Sequence, residues 1–333
     1  MNTVGIIANA YSGKDIRRLV APASVFNDQE KINILKRLLL TLNALDVERV
    51  LLMPDPLGLS RRALYDLEGK LGHTAAEILK LPFLAGDYRD SLRAAEAMVE
   101  HDCGCIITLG GDGTNRIVTK VIGDVPMLPI SAGTNNVFPY MVESTIAGLA
   151  AAAFARGLAA AEDCCRRMPL LELYRDGRFV DTALVDVVVV DQHQVGARAV
   201  WDPGVIRELY LTRARPADIG LAAIGGCLHP MPLSSGTGMY IRTGQNGRRV
   251  TAAIAPGLLH AVDVAEYRLF APGETMHVSF QPCVIALDGE REVHVDAGDA
   301  MEVKLNLHGP RVIDIDTTLQ VAVAAGFLHA HTD

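Results

Sequence analysis

The segment Leu109-Gly110-Gly111-Asp112-Gly113-Thr114-Asn115 puts a carboxylate, a hydroxyl and an amide among closely spaced glycines. Glycines let a chain turn tightly and let a ligand approach the backbone. Amides at a helix start carry partial positive charge and suit phosphate. Asp112 does not fit simple phosphate contact, because like charges repel. It fits a carboxylate that binds a metal bridging phosphates, or one that takes the proton of an attacking hydroxyl. The plainer alternative is a tight strand-to-helix turn with Asp112 as the helix cap. A second loop, Ser131-Ala-Gly133-Thr134-Asn135-Asn136-Val137-Phe138-Pro139, is again small and amide-rich. A third, Asn9-Ala-Tyr-Ser12-Gly13-Lys14, offers a hydroxyl and a cation. Two standard phosphate loops are excluded. Ala8 and Asp15 break the Walker pattern, and Arg116 follows Gly111-x-Gly113 where the dinucleotide fingerprint needs glycine.

Each of these loops follows a strand-like run. Val4–Ala8, Val47–Met53, Cys105–Leu109 and Val125–Ile130 read as strands, alternating with helical patterns at Gln29–Leu45, Leu59–Leu71 and Tyr88–Glu100. Such alternation predicts a parallel sheet covered on both faces, with ligands at the strand carboxyl ends. After an alanine-rich helix at Ile146–Ala161 the texture turns to strands from about Leu170 to Leu307, as expected of an antiparallel sandwich. Arg175-Asp-Gly-Arg178 and Asp288-Gly289 read as hairpin turns. Arg311–Ile315 and Thr318–Ala330 read as a strand and helix returning to the first unit. The expected division is 1–143, 144–308 and 309–333.

The chain has 333 residues with 31 Lys plus Arg against 39 Asp plus Glu, a formal charge of −8. At roughly 150 residues per domain this suggests about two. Net acidity argues against non-specific nucleic-acid binding, and aromatics at 5% argue against a single-strand stacking platform. The alanine-rich stretch falls short of the roughly 20 apolar residues of a membrane span. No secretory pattern opens the chain and none of the six cysteines forms a C-x-x-C pair, so reduced thiols in the cytoplasm are expected.

Gly110-Gly111-Asp112-Gly113-Thr114 resembles the GGDGT signature of the superfamily of NAD kinases, diacylglycerol kinases and sphingosine kinases. Gly133-Thr134-Asn135-Asn136 is similar to the G-T-x-N-D stretch of the lipid kinases, with Asn136 replacing Asp. Asn9–Gly13 is similar to their N-P-x-S-G loop, with Ala10 replacing Pro. The string from Ser131 to Pro139, with its alanine-rich helix behind, most resembles the acetoin-catabolism protein X branch. The resemblance implies a Rossmann-like or phosphofructokinase-like first domain, a β-sandwich second domain, and Mg²⁺-dependent phosphoryl transfer from ATP to a hydroxyl in the cleft between them. It implies nucleotide binding by the three loops, and a homo-oligomer.

Leu184-Val185-Asp186-Val187-Val188 is similar to the ribose-binding L-N-E/D-V-V motif of NAD kinases, with Val185 in place of the amide. The serine- and threonine-rich stretch of those enzymes has no good counterpart beyond a faint echo at Ser234–Tyr240. Leu287-Asp288-Gly289-Glu290 is similar to the D-G-E motif of diacylglycerol kinases, whose acid is proposed as base. The resulting expectation is a kinase with Asp112 and Glu290 catalytic, Asp186 on the acceptor, Asp112 or Asp288 on a metal, and NAD as leading acceptor. The alternatives are a diol or lipid kinase and a non-catalytic nucleotide-binding regulator. His193, His229, His329, His331 and Cys103-x-Cys105 carry weaker signals. Gly225-Gly226-Cys227 and Ser235–Gly238 bracket a segment expected to be a mobile substrate loop.

Overall fold

The computed structural model of the chain describes residues 2–13, 26–133, 136–191 and 202–329. The first unit begins with Thr3–Ala8 (β1) and Asp28–Ala44 (α1). Asn27 opens α1, its side chain accepting from the Glu30 amide at 2.7 Å, as short polar residues do at helix starts. Ile32, Leu35, Leu38, Leu39 and Leu42 are buried along one face of α1. Then come Arg49–Leu52 (β2), Leu59–Asp66 (α2), Ala75–Ile78 (β3), Tyr88–Glu100 (α3), Cys105–Gly110 (β4), Asp112–Thr119 (α4), Met127–Ser131 (β5), Ser144–Ala155 (α5), Ala161–Cys164 (α6) and Cys165–Arg167 (β6). The first five strands are parallel in the order β3-β2-β1-β4-β5. Strand order reverses between β1 and β4, and open sheets bind their ligands outside the carboxyl ends at such a point. The glycine loops after β1 and β4 lie there.

The second unit is built from Leu170–Arg175 (β7), Arg178–Ala183 (β8), Asp186–Val190 (β9), Ile206–Leu211 (β10), Ala222–Leu228 (α7), Gly238–Ala255 (β11), Leu258–Phe270 (β12), Thr275–His277 (β13), Cys283–Leu287 (β14), Glu290–Val295 (β15) and Met301–Asn306 (β16). They form two antiparallel sheets, β12-β11-β10-β9-β14-β15 and β13-β16-β7-β8. Leu173, Val187, Val189, Tyr210, Ile285 and Val303 share one buried cluster between them. The other face of the larger sheet, including Val188, Val190, Leu209 and Leu211, packs with α7 and with Val118 and Phe138 of the first unit. β9 is therefore covered on both faces, which is why its valines run without polar alternation.

Arg311–Ile313 (β17) returns to the first sheet, parallel to β5 through Val312 and Met127 and antiparallel to β6. Ile315–Ala324 (α8) packs against α5.

Packing moves the division anticipated at 143/144. α5 lies in the core of the first unit with α1, β1, β4 and β5, and β6 joins the first sheet. The alanines marked a change of composition, but their small side chains allow close helix packing within that unit. A Cβ at Gly148 would sit 2.9 Å from Thr41 Cβ of α1. The segment expected as a mobile loop also differs, because Gly225 and Gly226 lie in α7. A Cβ there would sit 2.5 Å from Leu211 Cδ1 or 2.2 Å from the Arg215 carbonyl carbon, so these glycines permit close packing. Met239–Arg242 and Thr251–Ile254 are parts of one strand, β11, continued through an irregular register opposite Val264.

Candidate active site

β4 ends at Gly110, which pairs with Ser131 of β5. A Cβ at Gly110 would sit 2.6 Å from Thr114 Cβ, and one at Gly111 would sit 2.7 Å from Asn136 Oδ1. The turn into α4 is therefore tight at both glycines, where a side chain would displace Thr114 or Asn136. Gly111 occupies the cap position without a side-chain cap, and the first i-to-i−4 bond is from the Asn115 amide to the Gly111 carbonyl at 3.2 Å. The amides of Asp112, Gly113 and Thr114 have no backbone or side-chain acceptor among the described residues. Such a helix start is electropositive.

Asp112 is thus the first helical residue, not the cap. Its Oδ1 accepts from the Phe138 amide at 2.8 Å and from Val137 at 3.1 Å, and Oδ2 also accepts from Val137 at 3.1 Å. The carboxylate ties the first glycine loop to the second. The residue keeps partial exposure, but its carboxyl group is walled in. Burial and the neighbouring Asp288 push it up to about 6, against the two amides and Arg213, which favour the ionised form.

The other loops converge on the same point. Asn9 Nδ2 donates to Thr114 Oγ1 at 2.8 Å, while Asn9 Oδ1 accepts from the Tyr11 amide and Ser12 Oγ donates to the Asn9 carbonyl. Gly13 has φ +72° and a Cβ there would meet the Ala132 carbonyl at 2.8 Å, so the loops after β1 and β5 touch. Asn136 Nδ2 donates to Ser131 Oγ at 2.8 Å and to the Gly133 carbonyl at 3.3 Å. Asn115 fixes the turn from within, accepting from Thr108 Oγ1 and donating to the Gly111 carbonyl. Lys14, Thr134, Asn135, His193 and His331 lie outside the described residues.

From the second unit, the turn between β14 and β15 reaches this loop. Asp288 and Gly289 have φ 51° and 78°, the left-handed pair that an Asp-Gly hairpin supplies. Asp288 accepts from the amides of Leu184, Val185 and Asp186, between 2.7 and 3.3 Å, and its Oδ2 lies 3.7 Å from Arg116 Nε. It is committed to the framework rather than presented to a metal. Burial raises its pKa, against Arg116 and those amides. Asp186 Oδ1 accepts from the Gly289 amide at 3.1 Å, which supplies a partner for a carboxylate at the start of a buried strand. Next in the turn, Glu290 leans over the glycine loop. A Cβ at Gly113 would sit 3.2 Å from Glu290 Oε1.

Arg116, Arg213 and Lys31, all buried, were not anticipated as site residues. Arg116 of α4 crosses to Asp181 Oδ2 at 3.0 Å, beside Lys120 Nζ, 2.7 Å from Asp181 Oδ1. Arg213, just beyond β10, crosses the other way. Its Nη1 donates to the Val137 carbonyl at 3.3 Å and its guanidinium carbon lies 5.5 Å from the Phe138 ring centre. Lys31 Nζ donates to the carbonyls of Ala10 at 2.9 Å, Ser12 at 2.8 Å and Asn9 at 3.3 Å. Its signal in the sequence is a lysine four residues before Leu35, on the face that Leu38 and Leu42 continue.

Among the described residues no group of three or more His, Cys, Asp or Glu is placed to hold a metal. The hard carboxylate oxygens of Glu290 at Gly113 fit a divalent cation arriving with phosphates rather than one caged by protein. The weaker candidates lie apart from this site. The His229 ring packs 6.0 Å from that of Tyr267, and Cys103 and Cys105 are buried thiols pushed up by desolvation.

Residues 4–158 match the family model for the ATP-NAD kinase N-terminal domain, and residues 169–308 match that for the acetoin catabolism protein X C-terminal domain. Acetoin catabolism protein X of Cupriavidus necator is 38% identical over 330 residues, 96% of this chain and 92% of that protein. The chain belongs to the acetoin catabolism protein X family. A solved structure, yeast NADH kinase complexed with NADH, aligns over 99% of this chain and 89% of its own with a TM-score of 0.49 and 13% identity. The boundary between the two family models falls in the stretch from Leu158 to Pro169, where β6 ends the first run of the parallel sheet. No helix of the described residues is long and apolar enough to cross a membrane.

Proposed function

We propose that this member of the family is a kinase that transfers the terminal phosphoryl group of ATP to a hydroxyl of a small molecule, with NAD as the leading acceptor. The observation that carries the reading is the approach of Asp112 from the first unit and of Glu290 from the second, the latter over Gly113, to the start of α4. Phosphoryl transfer is mostly positioning and charge neutralisation, and this arrangement offers both. The amides of Asp112, Gly113 and Thr114 would receive phosphate oxygens. Asp112, ionised at neutral pH with a pKa of about 6, would take the proton of the attacking hydroxyl. Glu290 would hold Mg²⁺, which supplies positive charge against the phosphates when bound. The match of residues 4–158 to a kinase domain model supports the same reading. With it goes a two-domain architecture of Rossmann-like first unit and β-sandwich second unit.

A diol acceptor is the second reading. Glu290 of the Asp-Gly-Glu turn stands at the site, while Val185 is buried with its amide on Asp288 and offers no side-chain group to a ribose.

Incubation with Mg·ATP and NAD, assayed for NADP and ADP, tests the first reading, and a panel of diols tests the second. Nucleotide binding with no turnover on any acceptor would leave a regulator instead. Asp112→Asn keeps an acceptor for the Val137 and Phe138 amides, so the fold should hold. Turnover should fall by about 10²- to 10⁴-fold, the range for loss of a general base. Near-normal turnover would remove Asp112 from the mechanism.

A further inference from the structure

Arg213 is 3% exposed, and among the described residues its Nε and Nη2 have no hydrogen-bond partner. Its third nitrogen, Nη1, is the one bound to the Val137 carbonyl. Nε and Nη2 share one edge of the planar guanidinium, and that edge pairs side-on with two oxygens of a carboxylate or phosphate. No carboxylate of the described residues makes an ion pair with it. Asp112, Asp218 and Asp288 are its nearby acids and Arg215 its nearby cation. Asp218 is already held by Arg215 at 2.5 Å, Asp288 faces Arg116, and Asp112 accepts from Val137 and Phe138. Leaving two buried donors unmet costs about 1–3 kcal/mol each, more for a charged group. A guanidinium edge buried with both donors unmet beside the glycine loops calls for a physical account, and an anion is the group it is shaped to receive.

We propose that Arg213 is a phosphate-recognition residue of this cleft, its Nε–Nη2 edge taking two oxygens of a nucleotide phosphate. The inference rests on the reading of the cleft as a phosphoryl-transfer site. It adds that the second unit supplies a cation to the phosphates which the first unit's loops receive through amides. Because Arg213 also holds the Val137 carbonyl, and Val137 and Phe138 donate to Asp112, an anion drawn to Arg213 would lie beside the carboxylate assigned as base. The phosphate belongs either to the donor or to the pyrophosphate of a dinucleotide acceptor, and the chemistry of recognition is the same.

The test is calorimetric titration of Mg·ATP, NAD, inorganic phosphate and phosphate-free adenosine into wild type, Arg213→Lys, Arg213→Met and Arg213→Gln, with circular dichroism and Tm for each. Loss of a bidentate charged contact should weaken at least one phosphate-bearing probe by about 10- to 100-fold in Met and Gln and less in Lys. Adenosine binding should be unchanged. Weakening confined to ATP assigns the donor phosphate, and weakening confined to NAD assigns the acceptor. Equal affinities in all four proteins, equal loss of adenosine, or no binding of any phosphate-bearing probe by wild type would overturn the assignment. Turnover measured in parallel separates the two readings. Wild type that binds through Arg213 but turns over no acceptor sinks the kinase and leaves the phosphate site, and the reverse sinks Arg213 alone.

Discussion

Arg116 and Arg213 cross between the two units in opposite directions, both buried and both beside the same glycine loops. Arg116 runs from the first unit into paired acids, Asp181 and Asp288, and Asp288 in turn gathers three amides at the head of β9. Arg213 runs from the second unit to one carbonyl, and among the described residues its bidentate edge is unmet. The carboxylates divide in the same way. Asp288 is closed off by framework amides, while Asp112 opens a helix whose first amides have no acceptor among the described residues and whose Gly113 faces Glu290. Similar groups at similar depth thus serve different ends. The Arg116 side joins the units through Asp181 and Asp288, and the Arg213 side is where the proposed phosphate would bind.

Substitution can break that contrast. Arg116→Met would leave Asp181 and Asp288 short of their buried cation, and removing one partner of a buried pair costs about 3–5 kcal/mol. Urea unfolding should show a loss of that order. Arg213→Met should change stability by no more than about 1 kcal/mol, since it removes one hydrogen bond together with a poorly compensated charge. Equal losses for the two variants would erase the distinction.

Acidity sharpens it. Asp112 has its pKa raised from the ordinary carboxylate value to about 6, so the folded state holds that proton more tightly than the unfolded chain. Its contribution to stability is present below the unfolded value, near 4, and is lost as pH rises through about 6. Activity runs the other way, because a base must be ionised, so kcat/KM should rise about tenfold per pH unit below about 6 and then level off. Asp112→Asn should lack that pH-linked loss and, by thermal melting, gain on wild type between pH 5 and 7. A profile flat from pH 4.5 to 7 would detach Asp112 from the chemistry.

The smallest expected effect is at Gly113. Alanine there would place a Cβ 3.2 Å from Glu290 Oε1, so the carboxylate must yield by a few tenths of an ångström. A decrease in kcat/KM of about threefold to tenfold should follow, since misplacement of a positioned group on this scale has modest cost, with Tm little changed. If Gly113→Ala were neutral, Glu290 would not be working at this loop.

Local signals carried the legible part of the structure. Asp-Gly at 288–289 specifies its own turn, the alternation before Asp112 specifies a parallel sheet, and α3 was expected at the bounds it has. Elements defined by distant partners were not legible. β12 carries Asp263, Glu266 and Arg268 on its exposed positions and gains its place by pairing with β11. α7 is rich in glycine because it lies against Leu211 and Arg215. Arg213 and Lys31 are ordinary cations in sequence. Their importance comes from burial, against Val137 and Phe138 for one and under the carbonyls after β1 for the other.

The Met168 amide donates to the Pro310 carbonyl at 3.0 Å, and Arg167 Nη1 reaches the Gly309 carbonyl at 2.9 Å, so the entry and exit of the second unit lie side by side. Topologically it is an insert, spliced into the parallel sheet between one edge strand and the strand that locks it. During synthesis that edge must wait, unpaired, until the whole second unit has left the ribosome and β17 arrives. A fragment ending at the ATP-NAD kinase match would therefore lack its last interior strand, whereas excising the insert and rejoining the adjacent ends with a short linker would keep the sheet whole.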